Sequence, residues 1–181
     1  YAKNADRPHP PASLTKMISL FIFQKRIAQG QERWDSLIPV RVETSAQSMP
    51  PDSSLMFLET GHIVSLEELL LGLAVVSGND ASYTLARHLK ASIPDYITEM
   101  NKTVSAMGFD QMRFYDPSGY DERSSITARQ MAEFCRRYIS EFPQSLERLH
   151  SPQTMIYPLA RNLPQGFLSE YGPIEQYNRN G

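Results

Sequence analysis

Cysteine, tryptophan and long apolar runs are scarce in this sequence. Cys135 is the single cysteine among 181 residues, so no disulfide can form within the chain. No apolar run approaches the ~20 residues that a membrane-spanning helix needs. The net charge is only −2, and Lys and Arg are scattered. The sequence therefore predicts no nucleic-acid partner, and any membrane association would have to come from segments outside this chain.

Motifs for phosphate and metal binding are also missing. There is no glycine-rich phosphate loop. The four histidines, His9, His62, His88 and His150, do not have the spacing of metal ligands, and we interpret them as ordinary surface or loop residues. Cys135 lies on an apolar helix face, which is more typical of a core position than of a nucleophile. We therefore expect neither a metal nor a cofactor.

Hydrophobic periodicity instead predicts a helix-rich chain with few strands. An apolar content of 41% is enough for one domain or most of one. Helices are expected to begin near residues 14, 66, 80, 94 and 128, and capping boxes at Ser65 and Thr127 support two of these starts. Short strands are expected at 38–44 and 112–115, and loops after Pro143. Since the first two helices are apolar on most sides, we expect a further sheet outside this chain to cover them.

The segment Ser13-Leu14-Thr15-Lys16 places a hydroxyl and an amine three residues apart at the start of the first helix. That spacing brings both side chains onto one helix face. A lysine can remove a serine proton only when it is neutral, which burial or nearby positive charge favours. The alternative is an ordinary N-cap serine and a lysine that extends to solvent. A charged group inside an otherwise apolar helix is costly, which favours the catalytic interpretation.

The tripeptide Ser77-Gly78-Asn79 follows the second apolar helix. On one interpretation it is only a helix stop, with Gly78 between two residues that favour turns. On the other, Ser77 supplies a second hydroxyl that relays a proton, and the Asn79 amide holds Lys16 and a substrate carbonyl. Because the tripeptide ends a buried helix, its side chains can face a cleft.

The segment 11–17 (PASLTKM) resembles the active-site segment of the D-alanyl-D-alanine carboxypeptidases, which are low-molecular-mass penicillin-binding proteins of serine peptidase family S11. The resemblance is clear from about residue 3 to 150, weak over 151–174, and clear again at 178–181. The segments that agree in order are 66–73, 75–81, 107–109, 116–119 and 127–132. The ordered combination is much more specific than either short motif.

The resemblance implies a reaction and a place in the cell. Ser13 would attack the peptide bond between the two D-alanines of a peptidoglycan stem peptide, and Lys16 would be the general base. Ser77 would relay the proton, and Asn79 would position the substrate. An acyl-enzyme would form on Ser13, and β-lactam antibiotics would acylate the same serine. The expected location is the bacterial cell envelope, on the periplasmic or extracytoplasmic side.

The resemblance also implies a fold, of which this chain would hold the mostly helical part. The fold is α/β of the α+β type, the β-lactamase and penicillin-binding-protein-like transpeptidase fold, with a mainly antiparallel sheet covered by helices. Residues 1–181 would be a partial catalytic domain without its N-terminal strands and without the later strand that carries a Lys-Thr-Gly motif. Because that strand supplies an oxyanion donor, its loss would cost ~10²–10³ in rate. We therefore expect a nearly inactive fragment.

Two other functions remain open at this stage. The first is a serine β-lactamase or esterase of the same superfamily, which would need a rapid deacylation step. No glutamate-bearing loop that could supply it is evident. The second is an inactive, truncated remnant that only binds stem peptides or envelope partners.

Overall fold

The structure, a computed structural model, describes residues 2–179 and is arranged around one buried helix. This helix, α1, spans Lys16–Ala28 and contacts α2 (Leu66–Ala74), α3 (Asn79–Leu89) and α4 (Ile93–Ala106). A fifth helix, α5, spans Ala128–Glu141. The predicted helix-rich chain with few strands is therefore confirmed. The largest fully buried side chains of the shared core include Phe21, Phe23, Phe114, Phe134, Tyr96, Tyr138 and Tyr157.

The first predicted helix starts one turn earlier than α1, in a different geometry. Ala12–Thr15 form a short 3-10 helix that continues directly into α1. Ile18, Leu20 and Phe23 are almost completely inaccessible to solvent, so the prediction of a helix buried on most sides is confirmed. Gly30 has a φ of +69°, and this left-handed conformation ends the helix as expected.

The two predicted capping boxes differ in completeness. At the start of α2, Ser65 Oγ accepts from Glu68 N, and Ser65 N donates to the Glu68 carboxylate at 2.9 Å. At the start of α5, Thr127 Oγ1 accepts from Gln130 N at 3.2 Å, but the side-chain oxygen of Gln130 has no hydrogen-bond partner within residues 2–179. The second box is therefore a simple N-cap, which still satisfies one free N–H of the first turn.

Two small antiparallel sheets lie in the described part of the chain. β1 (Leu37–Pro39) pairs with β2 (Ile63–Ser65), and β3 (Thr154–Tyr157) pairs with β4 (Ile174–Tyr177). The expectation of loops after Pro143 is therefore wrong in part. Arg179 N, just after β4, donates to the Val75 carbonyl at 3.0 Å, which brings the end of this hairpin against the end of α2.

The strands predicted at 38–44 and 112–115 are wrong in most of their length. Residues 42–44 form a 3-10 turn, because the hydroxyls of Ser45 and Ser48 both donate back to the Val42 carbonyl. In the second segment, one isolated bridge joins Arg113 to Ser125. The Asn101 amide bonds both the N–H and the carbonyl of Phe114 there, which replaces a partner strand.

His62 lies in the loop just before β2, as one of the two interpretations expected, but it is buried, so its interpretation as a surface histidine is wrong. Its Nδ1 lies 2.7 Å from the hydroxyl of Tyr157, and its ring packs edge-on against Tyr157 and Phe167. A single π-helical turn, Leu146–His150, precedes β3. His62 therefore ties the segment after α5 to the core beside β2.

Candidate active site

Ser13 lies on the exposed side of the short 3-10 helix, and its hydroxyl is held by two other side chains. Lys16 Nζ donates to Ser13 Oγ at 3.1 Å, and Ser77 Oγ donates to the same atom at 2.8 Å. No N-cap hydrogen bond from a side chain is formed at the start of either helical segment. The interpretation of Ser13 as an ordinary N-cap is therefore wrong.

Lys16 is buried, with 2% of its surface exposed, and does not extend to solvent. Besides Ser13, its Nζ donates to Asn79 Oδ1 and to the Ser118 carbonyl, each at 2.8 Å. These three acceptors use all three protons of the ammonium group. The orientation of the amine is therefore fixed, with one of its bonds directed at Ser13.

Burial lowers the pKa of Lys16 from 10.5 to about 8. The carboxylates of Asp116 and Asp80 act in the opposite direction, because negative charge stabilises the ammonium form. At pH 7 a group with this pKa is neutral in about one molecule in ten. Lys16 can therefore act as a base near neutral pH, which an exposed lysine cannot.

Ser77 reaches Ser13 from a strained backbone conformation. Its φ of +58° lies in the left-handed region, which non-glycine residues rarely adopt. The glycine beside it, Gly78, has an ordinary φ of −61° and precedes α3. Gly78 is required for a different reason: a Cβ there would lie 2.9 Å from Asp80 Oδ1 and 3.1 Å from Met56 N. The simple helix-stop interpretation does not account for this geometry.

Asn79 begins α3 and connects Lys16 to the opposite wall of the site. Its Oδ1 accepts from Lys16, and its Nδ2 donates to Ser53 Oγ at 3.1 Å. Asp80, the next residue, is fully buried and accepts from the N–H groups of Met56 and Leu58. These bonds fix the loop that carries Ser53 against the start of α3.

A cleft of about 470 Å³ opens in front of Ser13, Lys16 and Ser77. Its size is within the range of small-ligand sites. Its other lining residues are mainly apolar: Pro11, Ala12, Leu14, Met17, Leu20, Leu73, Ala74 and His150. A peptide with small apolar side chains could therefore enter with its carbonyl carbon near Ser13.

Two parts of the site were missed by sequence reasoning. The Ser118 carbonyl contacts Lys16, and Gly119 approaches the segment that carries Ser13 so closely that a Cβ would lie 1.8 Å from the Ala12 carbonyl oxygen. Segment 116–119 is one of the stretches that agree with the family in order, but nothing in the sequence gives it a role at the site. Its position beside Lys16 depends on contacts 102 residues apart, for which no local signal exists.

His150 is the one histidine of the four that lines this cleft within the part of the chain that the structure describes. Its Nε2 lies 3.1 Å from the Tyr138 hydroxyl, and burial lowers its pKa. Across residues 2–179, no group of three or more His, Cys, Asp or Glu side chains is arranged to hold a metal ion. In the same range, no helix combines the length and apolar character that crossing a membrane requires.

Comparison with known proteins gives the family. The sequence pattern described as D-alanyl-D-alanine carboxypeptidase matches residues 1–170, which includes most of the stretch where the motif resemblance is weak. The chain is 31% identical over 181 residues to the D-alanyl-D-alanine carboxypeptidase DacA of Haemophilus influenzae, and the match covers 99% of this chain and 42% of that protein.

The fold is shared with solved penicillin-binding proteins. Penicillin-binding protein 5 of Haemophilus influenzae superposes with a TM-score of 0.85 at 30% identity, covering 99% of this chain and 48% of that chain. Penicillin-binding protein 6B of Escherichia coli gives 0.86 at 27% identity, covering 100% and 53%. The chain thus has the penicillin-binding-protein fold, of which it contains mainly the helical part, and spans about half of these chains.

The chain belongs to the D-alanyl-D-alanine carboxypeptidase family, a family of serine peptidases. The family was predicted from the order of the motifs, and the comparisons confirm that prediction. Since the chain spans 42% of the length of the Haemophilus influenzae relative, the activity, substrate and partners of the whole protein are argued separately below.

Proposed function

We propose that this protein is a serine D-Ala-D-Ala carboxypeptidase that acts through an acyl-enzyme on Ser13. The observation that carries the proposal is the hydrogen-bonded group around one hydroxyl: Lys16 Nζ at 3.1 Å and Ser77 Oγ at 2.8 Å from Ser13 Oγ. A nucleophile next to a buried amine with lowered pKa is the arrangement that serine activation by lysine requires. Asn79 is assigned to substrate positioning, because its side-chain amide is bonded to the same Lys16 amine that contacts Ser13.

The reaction proceeds in two halves. Neutral Lys16 takes the proton of Ser13, and Ser13 Oγ attacks the carbonyl carbon of the penultimate D-alanine, giving a tetrahedral oxyanion. The peptide C–N bond then breaks while Ser77 passes a proton to the leaving nitrogen and regains one from the Lys16 ammonium. D-alanine leaves, and an ester to Ser13 remains. Water, deprotonated by Lys16, hydrolyses this ester and restores the serine.

The same steps explain why a β-lactam would bind covalently. Its strained ring contains an amide bond to a carbonyl carbon, and attack by Ser13 opens the ring without releasing a fragment from the site. The names of the solved relatives, penicillin-binding proteins 5 and 6B, support this partner for our chain. The name of the Haemophilus influenzae relative, D-alanyl-D-alanine carboxypeptidase, supports a peptidoglycan stem peptide ending in D-Ala-D-Ala as the substrate class. We propose the bacterial cell envelope as the location on the same grounds.

Covalent labelling with a fluorescent penicillin, measured as intact mass, tests this proposal. Because these 181 residues hold no Lys-Thr-Gly motif, we expect acylation to be slow, by ~10²–10³, but to reach one adduct on the wild-type chain after long incubation. Ser13→Ala should give no adduct, and Ser151→Ala, an exposed serine whose hydroxyl donates to the Leu146 carbonyl, should label as the wild type does. In parallel, D-alanine release is measured from a short peptide ending in D-Ala-D-Ala.

The remaining outcomes separate the competing functions. Rapid loss of the adduct with release of opened penicillin, and no D-alanine release, would identify a β-lactamase or esterase. A chain that melts cooperatively and still forms no adduct would contradict the proposal and favour a protein that only binds.

A further inference from the structure

A buried carboxylate organises the loop that contacts Lys16. The Asp116 side chain accepts from four successive backbone N–H groups: Ser118 and Gly119 at 3.0 Å, and Tyr120 and Asp121 at 3.2 Å. Its Oδ2 also accepts from the Ser118 hydroxyl. These bonds hold the backbone of the loop in one conformation, because a shift of the Asp116 side chain would break several of them at once.

This loop contacts the Ser13 site at two points, one at Lys16 and one at Ala12. The Ser118 carbonyl accepts from Lys16 Nζ at 2.8 Å. Gly119, with a φ of +84°, packs directly against the Ala12 carbonyl, the residue before the nucleophile. The loop that Asp116 holds therefore contacts both Lys16 and the segment that carries Ser13.

We propose that Asp116 is a positioning residue of the Ser13 reaction, which holds the Ser118 carbonyl on Lys16 and stabilises the ammonium form of Lys16 by its negative charge. The inference rests on the proposed function, since it assigns a role around the same nucleophile and base. It is supported by the electrostatics, because Asp116 is the leading influence that raises the pKa of Lys16 against the lowering caused by burial.

The other titratable groups near Lys16 do not supply the same negative charge as Asp116. Asp80 of α3 also raises the pKa of Lys16, but less than Asp116 does. Burial, followed by Asp116 and Asp121, raises the pKa of Tyr83 to about 12, so this residue is neutral at pH 7. His150, across the cleft, has a lowered pKa and is mostly neutral at pH 7 as well.

Burial and Asp116 therefore have opposite effects on the pKa of Lys16, and together they set the pH range in which Lys16 is neutral and can act as a base. With burial alone, the amine would be neutral at lower pH but would also be a weaker base. With the side chain of Asp116 holding the loop, Lys16 retains both the bond to the Ser118 carbonyl and enough basicity to take the Ser13 proton. Asp116 thus tunes the base without touching the substrate.

The test compares Asp116→Asn and Asp116→Ser with Asp121→Asn in the full chain. Both Asp116 variants keep one oxygen that can accept from the loop. Asp121→Asn removes a carboxylate of the same loop whose side chain is paired with the exposed Arg123. Two quantities are measured: the titration midpoint of Lys16 by NMR of isotopically labelled lysine, assigned with Lys16→Gln, and the pH profile of Ser13 acylation by penicillin.

We expect either Asp116 variant to lower the Lys16 midpoint by at least about 0.5 pH units, with the rising limb of the acylation profile moving to lower pH by the same amount. Asp121→Asn should move neither by more than about 0.2 units. An unchanged Lys16 midpoint in a variant that melts cooperatively would overturn the inference. Loss of cooperative melting in both Asp116 variants would also overturn it, because Asp116 would then support the whole chain rather than position one base.

The two proposals fail in different ways. A wild-type chain that penicillin does not acylate contradicts the proposed function, whatever the Lys16 midpoints are. A wild-type chain that is acylated, with an Asp116→Asn profile identical to its own, contradicts only the role of Asp116.

Discussion

Lys16 Nζ lies 3.1 Å from Ser13 Oγ, and the remaining two bonds of the same amine reach Asn79 Oδ1 and the Ser118 carbonyl. The first contact is local, between residues three apart. The other two come from 63 and 102 residues further along the chain. The helix therefore brings the Lys16 amine to Ser13, while distant segments supply its other two bonds, and this division determines which substitutions should be informative.

The acylation rate should depend on pH through Lys16. Since its pKa is about 8 and the neutral form is the active one, the rate of penicillin acylation should rise as pH increases through about 8 and then level off. The measurement is stopped-flow acylation from pH 6 to 10. A rate independent of pH across this range would show that Lys16 is not the base.

Lys16→Arg should abolish this rise. A guanidinium stays protonated throughout the range, so acylation should fall by roughly 10²–10⁴. Lys25→Arg, an exposed position on the same helix, is the matched control and should keep the wild-type rate. Near-wild-type acylation of Lys16→Arg would contradict the assignment, provided that both variants have the same melting temperature.

Two substitutions at Ser77 distinguish the effect of its strained backbone from the effect of its hydroxyl group. Ser77→Ala and Ser77→Gly both remove the hydroxyl that bonds Ser13, but only glycine adopts a φ of +58° without strain. Both variants should therefore lose roughly 10²-fold or more in acylation rate. Ser77→Gly should be more stable than Ser77→Ala by about 1 kcal/mol.

Urea unfolding and stopped-flow acylation measure these two effects on the same samples. Equal stability of the alanine and glycine variants would show that the backbone at position 77 is not strained. Wild-type acylation by either would remove Ser77 from the proton path.

Gly119 should be intolerant of any side chain. In Gly119→Ala, the new Cβ would collide with the Ala12 carbonyl oxygen, at 1.8 Å, in a backbone with a φ of +84°. We expect a loss of at least about 3 kcal/mol in the free energy of unfolding and of penicillin labelling. Gly108→Ala is the matched control: its φ is +83°, but nothing lies within 4 Å of the added carbon.

The control should lose only about 1 kcal/mol and keep its labelling. Equal losses in the two glycine variants, measured by urea unfolding, would mean that backbone conformation alone explains Gly119 and that its contact with the nucleophile segment has no role.

His62 should make stability sensitive to mild acid. Burial lowers its pKa below the usual 6.5, although the Glu59 carboxylate acts in the opposite direction. Because the unfolded chain then binds the proton more readily than the folded protein, the free energy of unfolding should fall as pH drops below about 6.5. His150 contributes in the same direction, since burial lowers its pKa too.

We expect the free energy of unfolding of His62→Gln to depend less strongly on pH between about pH 5 and 6.5. In a His62→Gln/His150→Gln double variant, this dependence should be weaker still. Urea titrations at three or more pH values give the slope. An unchanged slope in His62→Gln would show that His62 can take up a proton in the folded protein at no cost.

Much of the helical framework was predictable because its determinants are local. The apolar periodicity of α1, the capping box at Ser65 and the left-handed Gly30 all depend on residues within one or two turns of each other. The strands were predicted poorly. Segment 42–44 turns because the hydroxyls of Ser45 and Ser48, which follow it, donate back to the Val42 carbonyl. The sequences of the paired strands β3 and β4 show little alternation of apolar and polar residues.

The sequence by itself determined the family, through the order of its motifs. It also placed Ser13 and Lys16 on one helix face, because residues three apart are neighbours on one face of both an α-helix and a 3-10 helix. Only the tertiary structure decided whether that pair could react. The lowered pKa of Lys16 depends on burial beneath segments that are distant in sequence, and Ser77 reaches Ser13 only from a left-handed backbone that propensity disfavours. Asn79 and the Ser118 carbonyl contact the Lys16 amine because tertiary packing brings these distant segments together, and no local sequence pattern predicts such a contact.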